Sequence, residues 1–462
     1  MKIQINNLGA IKEGTIDLSK KLNVFCGPNG TGKTYLAYAI YGLLKTQIHV
    51  GSNKELVKNL IDKKKYLYAI DFTAINQYRN LLITNFKEDL DSLFGIGDDL
   101  AKQYFADTTI NYNESEQEFE DKLTECSFET FLDIKKINLK ISKERNSKEI
   151  VLEITDYTIS NNDIEMLEIF LHSTILLLLS KYPISSTFIL PVERNSIFTF
   201  SKELSIKKQE AVDHFHAMTG KNQIDRFDLL FKKTTRYPLA IKDGLMIAED
   251  LAETKKNKSP FYDLGIEIET ELLHGKVIIS SDGEIQFEPE KAKKRFLPIH
   301  MTASIIKSLA SLVIYLKHIA KKNDLIIIDE PEINLHPDNQ IILTRLIARL
   351  INKGFRLLIS THSDYIVREI NNLIMLSSKK EEVLKLRNTF GYNDEEYINQ
   401  DDIEVHFFDY PKKKTGNKQV VIEKLEILSS GFEIPTVNKT IEDQNEIAEE
   451  LFYALEYAGN DE

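Results

Sequence analysis

The chain is poor in the features that staple, anchor or coat. Two cysteines occur in 462 residues, Cys26 and Cys126, so neither a disulfide scaffold nor a Cys-x-x-Cys zinc site can be built, and a reducing compartment is expected. The longest apolar run, Ile169 to Leu179, is broken by His172, Ser173 and Thr174 and is too short to span a bilayer. The start, Met1-Lys2-Ile3-Gln4-Ile5-Asn6, alternates as a strand does and has no signal-peptide core. There is no cationic excess either. Acidic side chains outnumber basic ones by 71 to 59, a formal charge of −12, which argues against coating nucleic acid by bulk charge and leaves local basic patches open. Internal repeats and extended low-complexity segments are missing. What is there, 42% hydrophobic beside 28% charged residues, is ordinary globular composition. The expectation is a soluble, cytoplasmic protein of about two to four structural units.

The first residues read as strands at Ile3 to Ile5, Gly14 to Leu18 and Leu22 to Phe25, followed by a helix from Lys33 to Leu44. A long helical stretch is expected from about Glu55 to Phe94, two or three strands over Phe128 to Thr155, and a helix capped by Asp163 running to about Ser180. Phe188-Ile189-Leu190 reads as a short buried strand closed by Pro191. The charged segment from Ser201 to about Asn257 reads as a short helical hairpin projecting from the body. Asp282-Gly283 between two apolar stretches signals a β-hairpin. Leu325–Ile328, a helix from about Asp338 to Ile351, and Phe355–Ser360 form a βαβ unit, with Gly354 stopping the helix. An acidic helix is expected from about Thr440 to Tyr457.

Gly27-Pro28-Asn29-Gly30-Thr31-Gly32-Lys33-Thr34 matches G-x-x-x-x-G-K-[ST] and lies between a predicted strand and a predicted helix. Its amides and the helix N-terminus suit a phosphate chain, Lys33 reaches the β- and γ-phosphates, and the Thr34 hydroxyl suits Mg²⁺. Leu325-Ile326-Ile327-Ile328-Asp329-Glu330 is an apolar strand ending in two carboxylates. In a doubly wound sheet Asp329 emerges beside the P-loop as a Mg²⁺ partner, and Glu330 is placed to deprotonate an attacking water. The next strand ends in Thr361-His362-Ser363, which puts His362 on the same edge, within reach of the γ-phosphate or that water.

Together with Pro331-Glu332 and Asn334-Leu335-His336-Pro337, these motifs resemble an ABC-type ATPase of the soluble branch that includes SMC, RecF and OLD-type proteins. The resemblance covers residues 1–45 and about 295–375. It implies ATP and Mg²⁺ as cofactors and homo-oligomers built from head-to-tail ATPase dimers, each ATP lying between a P-loop and the partner's signature helix. On that pattern Thr302 and Ser304, leading a helix to about Ile319, would meet the other subunit's γ-phosphate. The usual glycine-containing signature is absent here, and an ordinary N-capped helix accounts for the same residues.

The fold expected is α/β: an ABC-type P-loop ATPase head with an antiparallel β subdomain, a helical insertion and a C-terminal α/β extension. It divides into residues 1–200 and 261–375 as the two ATPase lobes, 201–260 as the insert and 376–462 as the extension. No long heptad pattern follows the first lobe, unlike SMC proteins. Asp401, Asp402 and Asp409 read as solvated charge rather than as a fused Toprim nuclease. Pro191-Val192-Glu193-Arg194, the Asp329-Glu330-Pro331-Glu332 segment and Thr361-His362-Ser363-Asp364-Tyr365 are similar to the ATPase subunits of two-gene antiphage systems such as PARIS and Septu. That resemblance implies a separately encoded nuclease effector, Toprim-like or HNH, and a phage protein as trigger. Arg194 reads either as a nucleotide-linked or interface residue or, favoured by the residues alone, as half of an ion pair with Glu193 or another carboxylate. A RecF-like DNA-repair ATPase and an ATP-locked scaffold stay open as other classes. Lys63-Lys64-Lys65, Lys135-Lys136, Lys232-Lys233 and Lys291 to Arg295 are read as solvated faces without a base-reading role.

Overall fold

The computed structural model describes residues 1–134, 137–154, 161–200, 237–410 and 419–457. The alternating N-terminus forms a hairpin of β1 (Lys2–Leu8) and β2 (Ile11–Asp17), and β3 (Leu22–Cys26) follows, buried throughout. After the P-loop comes the helix Lys33–Lys45. The stretch expected to be one long helix is instead Lys54–Lys63, then β4 (Lys65–Ala69), then Phe72–Glu88 and Leu90–Phe94. Lys64 ends the first helix at φ +58, and Asp71 caps the next through the Ala74 N–H. The alternation Tyr66, Leu67, Tyr68 between them pairs as a strand.

Next along the chain are the helix Asp98–Phe105, β5 (Thr109–Tyr112), the helix Glu116–Glu125, β6 (Phe128–Ile134), β7 (Ile137–Lys143), β8 (Glu149–Ile154), the helix Asn161–Ser180 and β9 (Thr187–Leu190). β4, β8, β7 and β6 make the antiparallel subdomain in that order, with its own core around Leu60, Tyr78, Leu139, Leu152 and Leu171. The Asp-Gly signal is met by a hairpin of β10 (Gly275–Ile279) and β11 (Ile285–Pro289), joined by the short β12 (Leu297–Pro298). The helix Ser304–His318, β13 (Leu325–Asp329), the helix Pro337–Asn352 and β14 (Arg356–Ser360) follow as expected.

The segment 376–462 does not stand apart as an extension. β15 (Ile403–Asp409) pairs parallel with β3, and β16 (Val420–Lys424) links it to β2. Among the described residues the main sheet therefore has nine strands in the order β5-β1-β2-β16-β15-β3-β14-β13-β9, and the run from β15 to β9 is parallel. The strand escaped notice because its polar residues are buried and paired. Glu404 receives His406, Lys424 and the Asp17 N–H, so β15 lacks the unbroken apolar signature of its neighbours.

Most of the expected 201–260 insert lies outside the described residues, as do Lys135-Lys136, Lys232-Lys233 and Lys412-Lys413-Lys414. The part that is described does not project. The helix Leu239–Glu249 packs on the P-loop helix, where Tyr41 donates to Asp243 at 2.5 Å.

The two faces of the parallel strands feed two cores. Phe25, Leu325, Ile327 and Leu358 pack against Leu36, Ile40 and Leu43 of the P-loop helix. Val24, Ile326, Ile328, Leu357 and Ile359 pack against the helices Ser304–His318, Pro337–Asn352 and Asp364–Met375. Each fully buried aliphatic side chain contributes about 1.5–3 kcal/mol. Register then sets the working edge: Phe25 stands opposite Ser360, and Ser360 opposite Asp329. The carboxyl ends of β3, β14 and β13 thus meet side by side. No helix among the described residues is long and apolar enough to cross a membrane.

Candidate nucleotide site

The loop between β3 and its helix is shaped by backbone that few side chains tolerate. Gly27 lies at φ +130, and a Cβ there would stand 2.2 Å from the Phe408 carbonyl oxygen of β15. Gly32 caps the helix at φ +92. Lys33 folds its ammonium back over the loop, donating to the carbonyls of Gly27 at 2.9 Å and Pro28 at 2.8 Å. Burial lowers its pKa, against the pull of the Cys26 thiol and the Asp329, Glu330 and Glu332 carboxylates. Thr31 donates to the Pro28 carbonyl at 2.8 Å.

Asp329 ends β13 buried. One carboxylate oxygen accepts the Ser360 hydroxyl, and the Thr34 hydroxyl lies close enough to help hold the carboxyl's pKa down. The other oxygen, Oδ2, is buried with no hydrogen-bond partner. Burial raises the pKa of this carboxyl, and the Ser360 and Thr34 hydroxyls oppose the rise. An unpartnered carboxylate oxygen beside a threonine hydroxyl is the donor set of a hard cation, so these residues fit Mg²⁺. Among the described residues no group of three or more His, Cys, Asp and Glu could hold a metal by itself, which suits an ion completed by phosphates and water.

Glu330 turns away from the strand at φ +49, its N–H donating to the Ser360 carbonyl at 3.0 Å. Its carboxylate Oε1 lies 3.9 Å from His362 Nε2. Burial lowers the His362 pKa and Lys33 adds to the effect, so the ring is neutral at pH 7. Glu332 holds the backbone beneath this histidine, accepting the His362 N–H at 2.6 Å and the Thr361 hydroxyl at 3.0 Å.

Asn29, Gly30, Thr31, Gly32, Lys33, Thr34, Asp329, Glu330 and His362 line one cavity of about 870 Å³. Gly27 lines a second, of about 800 Å³, that shares His362 and is walled by Thr436, Val437 and Thr440 of the helix Pro435–Tyr457. Ser304 lines neither; it sits exposed at the first turn of its own helix. Sequence reasoning missed the far wall of the first cavity. There Tyr35, Phe94, Ile96, Leu100, Tyr104 and Phe105 converge, with Tyr35 and Phe94 ring centroids 5.1 Å apart and those of Phe94 and Phe105 4.8 Å apart. The sequence pattern around Leu90–Phe94 and Asp98–Phe105 carries no spacing that marks a ligand wall. Also missed was the tail's contact with the loop, in which the Tyr410 hydroxyl donates to the Gly30 carbonyl at 3.3 Å. Arg194 departs from expectation. Instead of a carboxylate, its guanidinium meets carbonyl and hydroxyl oxygens behind Asp329 and Glu330.

One end of the cavity can cradle a polyphosphate and a cation, and the other is lined by apolar and aromatic side chains. The profile of the AAA ATPase domain family matches residues 1–367. No curated protein matches the chain. Among solved structures, the chain is similar to an Smc head bound to the C-winged helix domain of ScpA, at 12% identity over 92% of this chain and 97% of that one, TM-score 0.35. It is also similar to an Smc head with an extended coiled coil bound to the C-terminal domain of ScpA, from Pyrococcus furiosus, at 13% identity over 97% and 98%, TM-score 0.31. A third is the SMC head domain from Thermotoga maritima, at 11% identity over 92% and 98%, TM-score 0.29.

Proposed function

The chain belongs to the AAA ATPase domain family, and from that premise we propose that it hydrolyses ATP at the cavity between β3, β14 and β13, in the manner of an ABC-type head. The observation that carries this reading is the convergence of Lys33, the Thr34–Asp329 pair and the Glu330–His362 pair on that one cavity. The loop amides and Lys33 bind the phosphates, Lys33 exchanging the Gly27 and Pro28 carbonyls for phosphate oxygens. Thr34 and Asp329 would hold Mg²⁺, which supplies charge neutralisation at the phosphates. Glu330 takes the proton from the attacking water. His362, neutral and close to Glu330, donates or accepts a hydrogen bond to keep that water in line. The aromatic wall stacks the base.

Phosphate release by the purified protein tests the reading, with Glu330→Gln beside it. General-base catalysis contributes about 10²–10⁴-fold, so the variant is expected to bind ATP normally and lose at least about a hundredfold in turnover. Normal turnover by Glu330→Gln would sink Glu330 as the base. Wild-type release no faster than that of the variant would make the protein an ATP-locked scaffold.

The finer reading is an ATPase whose nucleotide state controls assembly with, or release of, a separately encoded effector nuclease in phage defence. Support for it comes from the resemblance carried by Pro191 to Arg194, Asp329 to Glu332 and Thr361 to Tyr365. ATP-dependent binding of duplex DNA would point instead to the repair class. For that class the described residues include the exposed basic side chains Lys291, Lys293, Lys294 and Arg295, close together in the chain.

A further inference from the structure

Glu330 sits at φ +49, a left-handed conformation that crowds the Cβ of any residue but glycine. It also precedes Pro331, whose ring favours an extended residue in front of it. Such a conformation persists only where its surroundings over-determine it. On one side the Glu330 N–H is fixed by the Ser360 carbonyl. The other side is fixed by Arg194, which is 2% exposed. Its Nη2 donates to the Glu330 carbonyl at 2.8 Å and its Nη1 to the Asp329 carbonyl at 2.8 Å. Nη1 also donates to the Pro191 carbonyl at 3.0 Å, and Nε to the Ser308 hydroxyl at 3.2 Å. Ser308 lies one turn into the helix that begins at Ser304, and its hydroxyl also donates to the Ile333 carbonyl at 3.5 Å.

Burying a guanidinium without a paired carboxylate is expensive unless its N–H groups are met. Here each of its three nitrogens finds at least one oxygen acceptor, and the planar fork spans two carbonyls that a lysine ammonium cannot bridge together. Burial lowers the arginine pKa to about 10, opposed by the Asp329, Glu332 and Glu330 charges, so the group stays cationic at neutral pH.

We propose that Arg194 is a positioning residue: by gripping the carbonyls on either side of the Glu330 Cα it aims that carboxylate at the attacking water, and through Ser308 it ties this aim to the helix that starts at Ser304. The proposal rests on Glu330 acting as the base. A purely structural role would lower thermal stability yet leave turnover intact at temperatures where the protein is folded. An aiming role lowers turnover and spares nucleotide binding, because Arg194 lies behind the strand ends and touches neither the P-loop nor Thr34 in any described contact.

The test compares MgATP affinity, KM and kcat of the full chain, with kcat counted per nucleotide-binding site so that unfolded protein drops out. Arg194→Lys is expected to bind MgATP within about threefold of wild type and to lose about tenfold or more in kcat at unchanged KM. Ser308→Ala, which removes one acceptor from the fork, is expected to lose several-fold in kcat, with no further loss when combined with Arg194→Lys. Wild-type kcat in folded Arg194→Lys overturns the proposal, as does a loss of affinity that matches the loss of kcat. Should Arg194→Lys not fold, Ser308→Ala decides, and wild-type kcat there overturns the proposal equally. Glu330→Gln is assayed in parallel. If it turns over normally, the reading of Glu330 fails. If it is inactive while Arg194→Lys is fully active, only the role of Arg194 fails.

Discussion

Lys33 has two sets of partners that exclude each other. Its ammonium is held by the Gly27 and Pro28 carbonyls, and those same three donors are what a γ-phosphate would recruit. A lysine whose pKa is lowered by burial gains more from a phosphate than a solvated one does, since the anion restores the charge that burial disfavours. Lys33→Met is therefore expected to weaken ATP binding by about a hundredfold or more, measured by calorimetry. It also leaves the two loop carbonyls without their donor, so the P-loop becomes less ordered as well as less cationic. Affinity within a few-fold of wild type would remove Lys33 from the phosphate site.

At the scale of elements, β15 decides how firmly the loop is held. Its Phe408 carbonyl packs against Gly27, and its Tyr410 hydroxyl reaches Gly30. The strand in turn depends on a buried carboxylate. Burial alone would raise the Glu404 pKa, but hydrogen bonds from His406 and Lys424 outweigh it and hold the group down at about 2. A depressed carboxylate pKa stabilises the fold above its unfolded value near 4.5, and that stability is lost as pH falls towards 2. Glu404→Gln is expected to cost at most about 3 kcal/mol at pH 7, with the difference from wild type shrinking below about pH 4.5. Urea unfolding at several pH values checks both statements, and a pH-independent difference would refute the ion-pair account.

The same strand marks where the sequence stopped being legible. That Gly27 to Thr34, Asp329-Glu330 and His362 lie along one sheet edge was legible because each motif sits within a few adjacent residues at a strand end. β15 and the aromatic wall were not legible, because their meaning comes from partners far along the chain. Glu404 looks like solvated charge until His406 and Lys424 are placed beside it, and Phe94 and Phe105 look like ordinary core until they face Tyr35. Arg194 failed for a related reason: its partners are main-chain carbonyls, which no side-chain pattern announces.

For the whole molecule, the exposed Ser304 bears on assembly. Nothing of Ser304 lines the cavity of its own chain, so a γ-phosphate contact by this residue requires a second head. Glu330→Gln with MgATP is expected to double the mass of the 53.2 kDa chain in light scattering, and Ser304→Arg introduced into it is expected to prevent this while ATP still binds. A Glu330→Gln protein that stays monomeric at saturating ATP would rule out the head-to-tail pair.

The net charge also has an address. Pro435–Tyr457 carries one basic residue, Lys439, and six acidic ones, Glu442, Asp443, Glu446, Glu449, Glu450 and Glu456, so a single exposed helix holds much of the chain's −12. The same helix presents Leu451, Phe452 and Leu455 at 60, 59 and 82% exposure, and its first turns wall the cavity that contains His362. Two such helices would repel each other, so the surface suits a protein with an apolar groove rimmed by Lys and Arg rather than a second copy of itself. Leu451→Glu with Leu455→Glu is expected to leave basal phosphate release and thermal stability unchanged, because both side chains already face solvent. If the effector of the proposed function docks on this helix, the pair weakens its binding at least about tenfold, and the binding that remains falls steeply with salt. An effector affinity unchanged by the pair would rule out this helix as its docking surface.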